Sequence, residues 1–301
     1  MDSDNKTSSI VSPAVLGMTM ATCAIAFVVI VGGNILTLLA IWRTESLRTH
    51  SNMYVVSLAV SDLITGALIP TGVSILQGVS DLHYNKYLCL SQIVLTSSIA
   101  GVSVVTMTLI ALDRYLYIKY PMKYTMVVSG RKVKIVIGLA WVVTFLLNSF
   151  MFFVNNWSAK GGCFVLKTAP STFRAGFIFL YVIIGCVLCI FFYGSISLVA
   201  RRQQKAITSA AAHNTPAVTR ASWRLVKLFL VVFGIFFICW IPISVTYIFE
   251  AFVQVPLVVS YVVTPLVYVN AAANCFVYGW FNRDFRRAYK GILGYFCNCC
   301  K

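Results

Sequence analysis

The chain has 301 residues, 59% of them hydrophobic and 11% charged, and its 24 Lys and Arg against 8 Asp and Glu leave a formal charge of +16. A soluble domain keeps about a quarter of its residues charged, and a disordered chain needs fewer apolar residues still, so an integral membrane protein is predicted instead. The basic excess alone would also suit nucleic acid, and the placement of the charges decides between the two.

A helix crosses the roughly 30 Å bilayer core in about 20 mostly apolar residues. Seven stretches meet that length: Pro13 to Trp42, Met53 to Leu76, Leu88 to Ile118, Val133 to Val154, Phe173 to Ala200, Leu225 to Phe249 and Pro256 to Trp280. Runs such as IVIGLAWVVTFLLNSFMFFV carry no charge on any face, whereas helices of a soluble bundle alternate polar and apolar faces. The predicted fold class is therefore all-α and membrane-embedded, a bundle of seven spans. The first stretch is too long for the core of a signal peptide, and Met1 to Thr7 holds two Asp and one Lys, so it reads as an uncleaved span.

With the N-terminus outside, 19 of the 24 basic residues fall in inner segments, and only Lys6, Lys86, Lys160, Lys167 and Arg174 stay outside. The positive-inside tendency selects that orientation and leaves the C-terminus cytoplasmic; the charges are spent on a membrane face rather than on nucleic acid. Two Asn-x-Ser/Thr sequons, at Asn5 and Asn156, fall on the outer side, where glycans are attached. One domain accounts for residues 1–301: a tail over 1–12, spans and loops over 13–280, and a cytoplasmic segment over 281–301. The longest loop, Arg201 to Arg224, is short and polar, and no internal repeat is visible, which argues against a transporter.

Ionisable residues inside spans are expensive and therefore informative. Asp62 lies in SLAVSDLI of the second span, and Asp113 and Arg114 lie in LDRYLYIKYP at the inner end of the third. Around them, in chain order, come GGN at Gly32 to Asn34, Cys89, DRY at Asp113 to Tyr115, Trp141, Cys163, Tyr193, CWIP at Cys239 to Pro242, and NCFVY at Asn274 to Tyr278 running into FNRDFRRAY. In this order and at these depths the chain resembles the rhodopsin-like, class A G-protein-coupled receptors over nearly its whole length.

The resemblance implies a receptor that converts binding of an extracellular ligand into activation of a heterotrimeric G protein, with arrestin as a further partner. It implies that Arg114 rests against Asp113 and is freed when a neighbouring helix moves, with Tyr115, Tyr193, Phe236, Trp240, Pro242, Asn274 and Tyr278 in the same switch. Pro242 removes a backbone hydrogen bond below Trp240, giving the sixth span a pivot. The family's packing would place Asp62 beside Asn34, Ser103, Asn270 and Asn274, oxygen donors suited to a sodium ion, while the residues alone also allow a protonated Asp62 in a hydrogen-bond network. No other cofactor is implied. Pro121 and Met122 follow the DRY segment, where the family presents an apolar side chain to the G protein.

Of ten cysteines only Cys89 and Cys163 fall in outer segments, where an oxidising compartment permits a disulfide. Cys297, Cys299 and Cys300 follow FNRDFRRAYKGILGYF, whose composition is that of an amphipathic helix on the inner leaflet, and are predicted palmitoylation sites.

Departures from the family pattern shape the rest. Cys275 replaces the usual Pro of the seventh span, Gly185 that of the fifth, and Val104 stands where the third often has Ile. Arg201 to Lys227 holds no Asp or Glu, and Ser222 takes the place of the acid that often faces the DRY arginine, which predicts ligand-independent signalling. Thr96 replaces the Asp of amine receptors and Tyr268 the Lys of light receptors. The remaining inferred cavity, Gln92, Thr96, Ser97, Ala100, Phe177, Tyr181, Trp240, Ile243, Ser244, Tyr247, Thr264 and Tyr268, carries no formal charge and suits a neutral or lipid-like ligand, or the buried end of a peptide. Lys167, Arg174 and Glu250 are expected at its rim. Neither a nucleophile and base pair nor a Gly-rich phosphate loop is present, so an enzyme is not predicted; a non-coupling decoy or scaffold receptor, and then a transporter, are the alternatives.

Overall fold

The computed structural model describes the backbone of residues 12–76, 84–158, 162–209, 217–250 and 252–299, and the side chains within these ranges except at 75–76, 200–230, 257, 260–261 and 296–299. The predicted sites Asn5 and Cys300 lie outside the described residues, as do the side chains of Cys297, Cys299 and Ser222. Among the described residues there is no strand, and seven helices are long and apolar enough to cross a membrane. The first four are Pro13–Arg43, Asn52–Leu76, Lys86–Lys119 and Gly130–Ser149. The fifth runs from Ser171–Phe177 through a π-helical stretch, Ile178–Ile183, into Ile184–Ser209; the sixth and seventh are Ala217–Phe249 and Leu257–Phe281. They coincide with the predicted spans to within a few residues, apart from a later end of the fifth, at Ser209, and an earlier start of the sixth, at Ala217.

The helix starts are chemically marked. Ser12 Oγ accepts a hydrogen bond from the Val15 amide ahead of Pro13, and Asn85 Oδ1 accepts from the amides of Tyr87 and Leu88. A short helix, Pro121–Val127, follows the third span, with Pro121 at its first turn. Composition had marked this segment only as a basic loop.

The third span is the axis of the bundle: 61% of its most apolar window is buried, against 17% for the fourth, which turns Leu139, Val142, Leu146 and Phe150 outward. Exposed apolar side chains all round a helix suit a hydrocarbon solvent. Close approach to the axis depends on Gly101, where an added Cβ would stand 2.8 Å from Thr144 Cγ2 and 3.1 Å from the Tyr181 ring. Those atoms belong to a β-branched side chain and a buried ring on two other spans, so neither yields easily. Gly101→Val should cost about 1–3 kcal/mol or more and sharply reduce the folded receptor at the cell surface; wild-type surface levels and thermal midpoint would refute this close packing. The substituted positions Gly185 and Val104 also meet, since a Cβ on Gly185 would lie 3.0 Å from Val104 Cγ1. The two departures from the family pattern are thus the two sides of one contact.

The terminal helix, Arg283–Cys299, buries Phe285, Tyr289 and Ile292 at spacings of four and three and exposes Arg283, Arg286, Arg287 and Lys290. Phe285 stacks on Tyr278 of the seventh span at 5.4 Å, and the Tyr289 hydroxyl lies 2.8 Å from that of Thr37 in the first. Asn282 Oδ1 caps its start, accepting from the amides of Asp284 and Phe285.

Candidate functional site

At one end of the bundle a disulfide joins Cys89, at the start of the third span, to Cys163, their Cα atoms 5.6 Å apart. It draws Cys163, Phe164, Val165 and Leu166 over a cavity of about 240 Å³ that continues inward past Trp240 to Asp62. Ten of the twelve predicted cavity residues line it: Gln92, Thr96, Ser97, Ala100, Phe177, Trp240, Ile243, Tyr247, Thr264 and Tyr268. Gln92 Nε2 donates to Thr71 Oγ1 at 3.0 Å and so is held toward the second span.

Two predicted lining residues do not belong. Tyr181 sits inside the π-helical stretch, whose wider turn shifts the phase of the helix, and its hydroxyl accepts from Asn148 Nδ2 of the fourth span at 3.2 Å. Ser244 follows Ile243 on the sixth span and is carried about 100° away from the cavity, where its buried Oγ has no partner among the described residues. Arg174 is the opposite case. Expected at the rim, it is 5% exposed and lines the cavity, its Nη1 donating to the carbonyls of Leu166, at 2.7 Å, and Ala169. Glu250 accepts from the Val255 amide at 2.6 Å, and Lys167 is exposed on the loop. Asn156 is exposed as well, its backbone amide bonded to the Thr168 carbonyl.

Trp240 lines the cavity in a run of rings, 6.0 Å from Phe177 and 5.8 Å from Phe236. Pro242 lies within the same helix, two residues on from the buried Trp240. Deeper, Asp62 Oδ2 accepts from Asn274 Nδ2 at 2.7 Å, and Asp62, Ser103 and Asn270 border the cavity. Asn270 Oδ1 is buried with no partner among the described residues, an orphan acceptor that a cation would satisfy. Ser103 Oγ lies 2.9 Å from Ser61 Oγ. Asn34 does not join this group: its amide donates to the Ile30 and Ala271 carbonyls, tying the first span to the seventh. Asn274 presents its N–H₂ to the carboxylate. Of the five residues expected together, Asp62, Ser103 and Asn270 border the cavity and Asn34 and Asn274 do not.

At the other end of the bundle Arg114 Nη2 lies 3.1 Å from Asp113 Oδ2. Asp113 is 4% exposed and also accepts from Ser51 Oγ at 2.6 Å and from the Tyr124 hydroxyl at 2.7 Å. Burial first, and then Asp113 as hydrogen-bond partner, hold the Tyr124 phenol above its ordinary range despite the opposing Ser51 bond, so Tyr124 is a neutral donor at physiological pH. Ser51 and Tyr124 are missing from the motif-based reading, and the signal for them was slight: a hydroxyl before the second span and a Tyr in a basic loop. Tyr115 packs on Phe192 at 5.4 Å and accepts from Lys119 Nζ at 2.7 Å. Tyr193 and Tyr278 are buried, and Tyr278 Oη has no partner among the described residues. Met122 is 82% exposed beside Pro121 on the loop helix, with Met126 equally so.

The seven-transmembrane receptor profile of the rhodopsin family matches residues 33–278, and the chain belongs to that family. It is similar to the human adenosine receptor A2a, 28% identical over 90% of this chain and 70% of that receptor, and to the human histamine H2 receptor, 28% identical over 92% and 78%. The human growth hormone secretagogue receptor type 1 is 27% identical over 94% of this chain and 82% of its own length. The chain is accordingly a multi-pass membrane receptor that signals through G proteins in response to an extracellular ligand, and not an enzyme.

Proposed function

We propose that this receptor acts at the plasma membrane, with the disulfide end outside and the Arg114 end facing the cytoplasm, and that its ligand is a small, mainly apolar, lipid-like molecule. The observation that carries this reading is the cavity between the Cys163–Leu166 loop and Trp240, walled by Phe173, Phe177, Ile243 and Tyr247. The relatives are named for a nucleoside, an amine and a hormone secretagogue at nearly equal identity, so likeness alone does not choose a ligand and cavity chemistry must. A sodium ion held by Asp62, Ser103 and Asn270 would offset the buried carboxylate and favour the resting form. The same reading includes glycans at Asn5 and Asn156, palmitate at Cys297, Cys299 and Cys300, and arrestin as a further partner.

Basal signalling follows from the absence of an acid between Arg201 and Lys227, which leaves the Arg114 end without a cross-helix ionic lock from that segment. Expressed in cells with a sensor for each G-protein class, the receptor should raise output above mock-transfected cells without added ligand, and Arg114→Ala should abolish that rise. Good surface expression with no output in any class would remove the coupling receptor in favour of a decoy. Met122→Asp should reduce the output at least tenfold at unchanged surface level, because it places a charge where an exposed apolar side chain meets the partner. Unchanged output would remove Met122 from the contact.

A further inference from the structure

Arg174 is the basic residue lining a mainly apolar cavity. Both of its hydrogen bonds leave from Nη1, to the carbonyls of Leu166 and Ala169, and its Nε is buried with no partner among the described residues. No carboxylate of the described residues lies within ion-pair distance, and Glu250 is engaged by the Val255 amide. A buried charge is costly by several kcal/mol, and two carbonyl dipoles and the Glu250 carboxylate, acting from beyond ion-pair distance, offset only part of that. A clip between loop and helix would need only neutral donors. The two loop carbonyls instead orient the guanidinium by Nη1 and leave Nη2 as the donor available to a carboxylate.

We infer that the ligand is an amphiphile with one carboxylate, seated on Nη2 of Arg174, and an apolar chain lying along Phe173, Phe177 and Ile243 toward Trp240. This rests on the lipid-like reading above and adds a head group to it. One cation matches one negative charge; a phosphomonoester would bring about −1.5 to −2 against it. The carboxylate pairs with the Arg174 guanidinium, and the tail displaces water from the apolar walls.

The test uses the full-length receptor in phosphatidylcholine nanodiscs with decanoate and decanamide, a matched pair differing in the charge of the head group. Decanoate should raise the thermal midpoint at concentrations at least tenfold below those decanamide needs. Arg174→Gln should make the two compounds equivalent, and Ala100→Trp, which fills the cavity away from Arg174, should remove both responses. If the Gln variant does not fold, Arg174→Lys decides, with decanoate weakened at least tenfold and decanamide unchanged. Equal potency on the unmodified receptor, or a decanoate preference that survives Arg174→Gln, overturns the head-group inference while leaving the apolar cavity standing. No response to either compound, or responses untouched by Ala100→Trp, overturns both.

Discussion

Asp113→Ala is expected to lower the stability of the folded receptor by about 3–5 kcal/mol and to raise its ligand-independent output per molecule at the cell surface. Asp113 is nearly inaccessible and serves three donors: Arg114 at 3.1 Å, Ser51 at 2.6 Å and Tyr124 at 2.7 Å. Removing it takes the carboxylate away from a guanidinium whose side chain is only 14% exposed and from two hydroxyls. Ser51 and Tyr124, 3.2 Å apart, can still pair with each other, so most of the loss falls on Arg114. Ser51→Ala removes a single neutral donor to a charged acceptor and should cost about 1.5–3 kcal/mol. Thermal midpoints of the purified proteins, read beside basal output, check both. An Asp113→Ala receptor as stable as the parent would mean that Arg114 is already satisfied elsewhere.

Cys163→Ser should cost about 2–5 kcal/mol and weaken ligand binding together with stability. The bond closes a separation of 74 residues, so the unfolded chain gains considerable freedom when it is lost. Its second effect is local. Phe164, Val165 and Leu166 form one wall of the cavity, and the Leu166 and Ala169 carbonyls hold Arg174, so freeing Cys163 loosens wall and guanidinium together. Cys89→Ser should give the same loss, and the double variant no more than either alone, because all three remove one bond. Additive losses would show that each cysteine acts through packing rather than through the bridge.

The spans were legible because a bilayer sets a minimum length, and a run of about 20 uncharged residues is hard to place elsewhere. The disulfide was legible from compartment alone, since Cys89 and Cys163 are the cysteines that fall in outer segments. Orientation of side chains around a helix was not. Tyr181 and Ser244 failed as lining residues because a π-helical stretch and a single step of helical rotation decide which way they face, and neither leaves a mark in composition. Asn34 failed because its amide found two backbone carbonyls within reach, a choice that depends on where Ala271 of the seventh span sits. Arg174 was misplaced for a related reason: charge at the end of a span predicts a wet rim, and only the loop folded back by the disulfide turns it inward.

The cavity that passes Arg174 also borders Asp62, Ser103 and Asn270. Two depths therefore share one passage. A small ion or water molecule that exchanges at the lower position by this route must cross the volume occupied by a ligand at the upper one. A ligand at the upper position would close this route to the lower one.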